Sequence, residues 1–305
     1  MKKLLQIFIL ARDRAALLEE TLDSILVQEY SEFEIEIVVS DNSETDVVKN
    51  LLCEYSLINN KVKYIRRYPT LRADLHFQAI IDECSADYLV MFHDDDIMHP
   101  NYVRTMLPIL IDNNIVALGC NAYLFSSKLL NNLRKMHNFQ SLKIFDNHKD
   151  FLECYLVGNG GIAPYPGYMY KTEFIKKTKA STLYYGDVNN LSNLLNLGSI
   201  GVVPDALMYY RIHSGNSSRH ENILDRKKLL NYMFSKGIDP SSTPVFLSKY
   251  LYYLTWIRQQ GSFFLNIYKW RYRIVTKFLL FKSIKVLLTS YFWTTILKKL
   301  KIKKY

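Results

Sequence analysis

Two lysines open the chain, and an apolar run from Leu4 to Leu10 then predicts a buried strand. Leu17, Leu18, Thr21, Leu22, Ile25 and Leu26 recur at the 3.6-residue period and predict an amphipathic helix. Phe33, Ile35 and Ile37 alternate with Glu32, Glu34 and Glu36 ahead of Val38-Val39. That period of two predicts a second strand, ending at Ser40-Asp41. Val62–Ile65 reads as a third strand and Leu75–Cys84 as a second helix. Tyr88–Phe92 reads as a fourth strand, running into His93-Asp94-Asp95-Asp96. Strand–helix alternation of this kind predicts an α/β fold with a mostly parallel sheet. Ligands bind such sheets beyond the carboxyl ends of the strands, where the polar groups Arg12–Arg14, Asp41–Asp46 and Asp94–Asp96 fall.

The second half is less regular. Gly158, Gly160, Gly161, Pro164, Pro166 and Gly167 crowd together and predict a loop. Asp187 opens a helix whose apolar positions are Leu191, Leu194, Leu195 and Leu197, and a strand pair is expected at Ile200–Val203 and Leu207–Arg211. No internal repeat or low-complexity linker interrupts the chain.

With 305 residues, 49% apolar and 22% charged, the chain can bury a sizeable core and disorder is excluded. The four cysteines, at 53, 84, 120 and 154, have neither zinc-site spacing nor the density of a disulfide framework, so a reducing compartment is expected. The first residues imitate a secretory leader, but charge returns at Arg12, Asp13 and Arg14 too early for one, and no leader is expected.

The net charge of +10 is concentrated at one end. Residues 221–305 hold 17 Lys/Arg against 3 Asp/Glu, and residues 240–305 hold no acid at all. The composition changes near residue 221, which is therefore the expected boundary between a body (1–220) and a basic, aromatic-rich helical region (221–305). The longest uncharged stretch there, Val286–Leu297, is 12 residues, short of the roughly 20 that span a bilayer. Lys269, Arg273 and Lys277 share a helical face, with Trp270, Phe278, Phe281, Phe292 and Trp293 interspersed among the basic positions. That pattern describes helices lying in the interface of an anionic membrane; the alternative is a bundle packed on the body with a solvated basic face. No nucleic-acid-binding module is present, and nucleic acid is not an expected partner.

Three consecutive carboxylates after an apolar strand are costly unless a cation sits among them. Hard oxygen ligands suit Mg²⁺ or Mn²⁺. The same residues also suit a solvated turn capping the helix that begins after Pro100.

Five segments in order resemble the family-2 inverting glycosyltransferases of the GT-A fold, over residues 4–220. They are Leu10-Ala11-Arg12-Asp13-Arg14 at the opening turn, Leu18–Ile25 in the first helix, and Val38–Ser43 at the end of the second strand. His93–Asp96 with Pro100 follows, and then Gly186-Asp187 with Tyr210-Arg211-Ile212-His213. Two departures stand out. Leu10 replaces a usual proline, and the first Asp of the Asp-x-Asp motif falls on His93 if Asp95-Asp96-Ile97 is held in register; the other register takes Asp94-Asp95-Asp96 itself.

The resemblance implies a GT-A fold with a nucleotide-binding half (1–115) and an acceptor half (116–220). It implies a nucleotide-sugar donor, most readily a UDP-sugar, and a glycan acceptor, which the basic tail makes lipid-linked. Leu10, Ala11, Arg12, Arg14, Arg72 and Asp94 would contact the donor, and Asp41 would accept a hydrogen bond from the base. Arg66, Leu71 and His76 would wall the nucleotide. Asp95, as the principal ligand, with Asp96 and His213 would hold the metal, and Asp187 would act as general base. Tyr165, Pro166, Gly167 and Tyr168 would shape the acceptor pocket. A sugar-nucleotide-binding assembly partner without activity and a nucleotidyltransferase are the competing readings; the latter normally carries a glycine-rich phosphate loop, and residues 10–14 contain no glycine.

Nucleotide sugars are cytosolic, so the expected location is the cytoplasmic face of a membrane. Each Lys or Arg near an anionic leaflet contributes about 1 kcal/mol, a contribution that salt screens. Deleting residues from 262 onward should therefore release the protein from anionic vesicles in a flotation assay while nucleotide binding persists. Unfolding of the truncated chain, or indifference of the full chain to vesicles, identifies the tail as a packed bundle.

Overall fold

A computed structural model describes residues 2–28, 31–58, 62–126, 133–157, 162–181, 185–213 and 223–238. The basic region from 239 onward, with its expected membrane-interface helices, lies outside the described residues. Among the described residues no helix is long and apolar enough to cross a membrane.

The elements in chain order are β1 (Lys3–Ala11), α1 (Ala15–Leu26), β2 (Phe33–Asp41), α2 (Val47–Ile58), β3 (Val62–Arg66), α3 (Ala73–Glu83), β4 (Tyr88–His93), β5 (Ile97–Met98), α4 (Tyr102–Asp112) and β6 (Ile115–Phe125). They continue with β7 (Arg134–Lys135), β8 (Lys143–Phe145), α5 (His148–Val157), a 3₁₀ turn (Tyr165–Gly167), β9 (Tyr168–Lys171), α6 (Thr172–Ile175), α7 (Gly186–Leu194), β10 (Ser199–Arg211) and α8 (Ile223–Ser235). The chain divides into two compact units, Met1–Phe151 with Asn159–Glu221, and Leu152–Gly158 with Asn222–Tyr305. In the second unit α8 is the described helix outside α5, with Leu229 and Met233 buried on one face.

The first unit is built on a ten-stranded sheet with the main order β3-β2-β1-β4-β9-β6-β10-β5. β3, β2, β1 and β4 are mutually parallel, and β6 pairs with β10 in parallel. β9 joins these halves by running antiparallel to both β4 and β6. The sheet is thus mixed but mostly parallel. Alternation decides its faces: Leu5, Ile7 and Ile9 of β1, with Val90 and Phe92 of β4, share one core with Leu18, Leu22 and Ile25 of α1 and Val103, Met106 and Leu107 of α4. Phe8, Leu89 and Met91 point the other way and are buried too. Burial on both faces explains why these strands read as unbroken apolar runs.

Three features depart from the sequence reading. The expected strand pair at 200–203 and 207–211 is a single strand, β10, with register shifts against β6 between Val202 and Ala206; Pro204, which has no N–H for the ladder, sits within that irregularity. The loop read around residues 158–167 ends in an ordered 3₁₀ turn and β9. β6 and α2 were not anticipated, because Gly119, Cys120 and Asn121 interrupt the one and polar residues the other.

Gly119 sits where β6 meets β9. A Cβ there would lie 2.6 Å from the Ala163 Cβ and 2.7 Å from the Tyr168 ring, neither of which can swing aside cheaply. Gly119→Ala should therefore destabilise the first unit by about 1–3 kcal/mol through overpacking, measured as a lowered urea midpoint at unchanged m-value. A midpoint equal to that of the parent protein refutes this account of β6–β9 packing.

Candidate functional site

β1 and β4 are in register, Leu10 opposite His93, so the turns that follow them emerge side by side. Asp94 ties them together. Fully buried, it accepts the Arg12 backbone N–H at 2.8 Å through Oδ2 and the Arg14 guanidinium through Oδ1. The Arg14 Nη1 also donates to Asp95 Oδ2 at 2.6 Å. Burial pushes the Asp94 carboxyl up to about 6, against the opposing pull of Arg14 and the Arg12 N–H.

The turn after β1 is joined to that after β2 by Asp13. Its φ of 53° is left-handed, a conformation Asp tolerates better than most residues. Its carboxylate accepts the backbone N–H groups of Glu44 and Thr45, both at 3.1 Å, and the Thr45 hydroxyl at 2.8 Å, while its own N–H donates to Ser43 Oγ.

Asp94 turns toward β1, whereas the donor atoms of His93, Asp95 and Asp96 all lie within 4.8 Å of one another. Asp96 is buried: Oδ1 accepts the Arg211 N–H at 2.9 Å, and Oδ2 has no hydrogen-bond partner among the described residues. Burial, reinforced by the charge of Asp95, holds the Asp96 carboxyl well above its ordinary range. At Asp95 burial acts in the same direction, but His93, Arg14 and His213 outweigh it and keep that carboxyl low. Burial also lowers the His93 imidazole. An orphaned buried carboxylate oxygen beside a second carboxylate and an imidazole fits a divalent cation by donor chemistry. His213 stands against the cluster, its Nε2 2.9 Å from Asp95 Oδ2.

Arg211 clamps this acidic turn. Besides its backbone bond to Asp96, its Nε donates to the Asp95 carbonyl at 2.7 Å and its Nη2 to Glu20 at 2.7 Å, and the guanidinium lies over the Phe125 ring. Thr21, polar within the apolar face of α1, donates to the Asp96 carbonyl at 2.8 Å.

Beside the cluster opens a cleft of about 230 Å³. β1 and its turn supply Leu10, Ala11, Arg12 and Arg14; the turn after β2 supplies Asn42; α3 supplies Ala73, His76 and Phe77; His93, Asp95 and Tyr210 complete it. Asn42 holds the approach to α3 through paired bonds to the Leu71 N–H and carbonyl, at 2.7 and 2.9 Å. His76 is fixed from behind: its Nε2 lies 2.7 Å from Ser40 Oγ, which accepts Arg67 Nε at 2.8 Å, and Arg67 pairs with Glu83. Phe77 packs against both His93 and Tyr165. The Tyr210 phenol is raised to about 12, chiefly by burial and then by the charges of Asp96, Asp95 and Asp187.

Several expected contacts are placed elsewhere. Asp41 is fully buried and serves its own chain, accepting Arg66 at 2.6 Å, the Tyr64 hydroxyl at 2.8 Å and the Ser43 N–H at 2.9 Å; it presents no open edge to a base. Asp94 bonds the Arg12 backbone and the Arg14 side chain. Arg72 pairs with Asp74 on the surface before α3 and does not line the cleft, and the exposed Arg12 side chain pairs with Glu44. Tyr168 is fully buried against Gly119, so it supports the pocket from within the sheet. Tyr165 is nearly buried and accepts Asn190 Nδ2 at 3.3 Å, and the Gly167 carbonyl accepts the Tyr102 hydroxyl at 3.3 Å. Asp187 lies in the first turn of α7 and is exposed at its surface, and desolvation by the surrounding protein raises its carboxyl. Its charge adds to the upward shift of the Tyr165 and Tyr210 phenols. Asp13, Phe77 and Arg211 were not foreseen as site residues; Arg211, inside the Tyr210–His213 segment, is the one whose position offered a signal.

The sequence profile described as glycosyl transferase family 2 matches residues 6–169. The bifunctional glycosyltransferase pgtA of Dictyostelium discoideum is 30% identical over 115 residues, 36% of this chain but only 15% of that protein's length. A glycosyltransferase of Haemophilus influenzae is 25% identical over 251 residues, covering 77% of this chain and 76% of its own. Among solved structures, S. aureus TarS in complex with UDP-GlcNAc matches with a TM-score of 0.61 at 12% identity, over 82% of this chain and 72% of that one. The mannosyltransferase PcManGT from Pyrobaculum calidifontis, in complex with GDP-Man and Mn²⁺, matches with a TM-score of 0.57 at 14% identity, over 100% and 89%. At these identities the structural matches establish the GT-A fold alone.

The network behind the cleft makes stability depend on pH. Burial first, and the Arg67 charge second, lower the His76 imidazole to about 4. Between about pH 6.5 and 4 the unfolded chain binds a proton that folded His76 refuses, so stability falls as pH drops through that window, by up to about 3 kcal/mol from this residue. Burial holds His137 at about 4 as well, so His76→Gln should flatten only part of the slope. Urea unfolding at pH 6.5, 5.5 and 4.5 measures it, and an unchanged slope in the variant contradicts the assignment.

Proposed function

This chain belongs to glycosyl transferase family 2, and on that premise we propose that it transfers one sugar, with inversion, from a nucleoside-diphosphate sugar to a glycan hydroxyl. The observation that carries this reading is the His93–Asp95–Asp96 cluster, with its orphaned Asp96 oxygen, at the carboxyl end of β4 and on the edge of a cleft of about 230 Å³. The neighbours' ligands, UDP-GlcNAc and GDP-Man, support a nucleotide-sugar donor. We favour a UDP-sugar, in line with the UDP-GlcNAc held by TarS.

His93, Asp95 and Asp96 would hold Mg²⁺ or Mn²⁺, which when bound offsets negative charge on the leaving diphosphate. Arg14 supplies a fixed positive charge beside the same position, buttressed by Asp94. His213, 2.9 Å from Asp95, donates from the far side. Asp187 takes the proton of the attacking hydroxyl; its raised carboxyl and its opening toward solvent suit a base that meets an acceptor arriving from outside. Tyr165 and the Gly167 turn wall the acceptor side. The tail's excess of cations favours a lipid-linked acceptor, such as a surface-polysaccharide or lipopolysaccharide precursor, at the cytoplasmic face of a membrane.

Incubation of the full chain with a panel of nucleotide sugars should yield divalent-dependent release of UDP. Release of pyrophosphate instead overturns the reading in favour of nucleotidyl transfer, and nucleotide binding without turnover favours an inactive assembly partner. Asp187→Asn should lower kcat by roughly 10²–10⁴ with donor binding intact by calorimetry, whereas Asp95→Ala should abolish metal-dependent nucleotide binding. Activity of Asp187→Asn near that of the parent protein removes Asp187 from the role of base.

A further inference from the structure

We propose that His93 is a nitrogen ligand of the divalent ion and turns the site away from Mg²⁺ and Ca²⁺ toward Mn²⁺ and the later first-row transition ions. The proposal rests on the transferase reading above and concerns this chain's own departure from an all-carboxylate set.

Position comes first. His93 is the last residue of β4, and the turn that follows brings Asp95 and Asp96 beside it, while Asp94 is consumed by Arg12 and Arg14. The donor atoms of His93, Asp95 and Asp96 fall within 4.8 Å of one another, close enough to converge on one ion. Availability comes second. No hydrogen bond engages the His93 ring among the described residues, and Phe77 packs against it at 6.3 Å between centroids, which restrains the ring from turning away. Asp96 Oδ2, buried and without a partner, is the second open donor. Asp95 Oδ2 is shared by Arg14 and His213, and His93 supplies an imidazole where an all-carboxylate set would offer a third carboxylate.

Coordination chemistry then decides selectivity. Mg²⁺ and Ca²⁺ are hard ions that take oxygen ligands and gain from each added negative charge. A neutral imidazole withdraws one such charge and offers a nitrogen, a ligand that suits transition ions and whose preference rises along the series from Mn²⁺ to Co²⁺ and Ni²⁺.

The test uses the full-length chain and the metals alone. Titration with Mn²⁺, followed by electron paramagnetic resonance, should show a bound ion with ¹⁴N coupling in the pulsed spectrum, and Mg²⁺ should displace it only at about tenfold higher concentration or more. His93→Asp should lose the ¹⁴N coupling and bring Mg²⁺ to near parity with Mn²⁺. His93→Gln should lose the coupling without gaining Mg²⁺, and His213→Gln, which removes the other nearby imidazole, should keep it. The spectrum of the unmodified protein needs no variant to fold. Absence of coupling, its survival in His93→Asp or His93→Gln, its loss in His213→Gln alone, equal competition by Mg²⁺, or failure of Mn²⁺ to bind each overturns the proposal. Parallel calorimetry with UDP separates the two readings: UDP bound equally well with Mg²⁺ and Mn²⁺ overturns the ligand assignment and leaves the transferase reading standing, whereas no nucleotide binding with any ion overturns both.

Discussion

Three carboxylates in succession at the buried end of a strand repel one another and lose their hydration, so each must find a cation, a donor or a proton. The surroundings of β4 are organised by that requirement. Asp94 is satisfied by the turn after β1, through the Arg12 N–H and the Arg14 side chain. Asp95 is satisfied by Arg14 and His213, which come from opposite ends of the first unit's sequence. Asp96 is satisfied at one oxygen by the backbone of β10 and left open at the other. The remaining unsatisfied oxygen is where chemistry can begin.

The same requirement explains why distant segments converge. Arg211 spans from the Asp95 carbonyl to Glu20 of α1, so the end of β10, the turn after β4 and the first helix form one rigid frame. Breaking a buried, hydrogen-bonded charge is expensive because the partner is left stranded. The frame therefore resists exchange of any single member, and the cleft beside it inherits its shape from the body of the fold.

Charge has been divided between structure and function within a few residues. Asp41 and Asp94, each at the end of a parallel strand, are spent on holding their own turns. Asp13, which looks like an ordinary turn residue, performs the matching task between the turns after β1 and β2. His76 faces the cleft, yet its Nε2 is committed to Ser40, whose hydroxyl in turn accepts from the Glu83-paired Arg67. Arg14, His93 and Asp95 line the cleft, and Asp96 Oδ2 is left without a partner among the described residues.

Much of this was legible in the order of residues. Periodicity located β1 to β4 and helices α1 and α3 close to their observed bounds, because burial on one helical stripe or on both sheet faces imposes a local repeat. The motif order pointed to one family, and the structure brings Arg211 and His213 against the acidic turn. What periodicity could not reach was pairing across the sheet. β6 is held by β9 and β10 despite a Gly-Cys-Asn interruption, and β10 runs unbroken through Pro204, since hydrogen bonds to neighbouring strands outweigh local preference. Nor could the sequence say which of several adjacent carboxylates faces a ligand. Asp94 and Asp95 are identical in chemistry and differ in direction alone, and direction is settled by the register of β4 against β1 and by where Arg12, Arg14 and Arg211 stand once the sheet has formed.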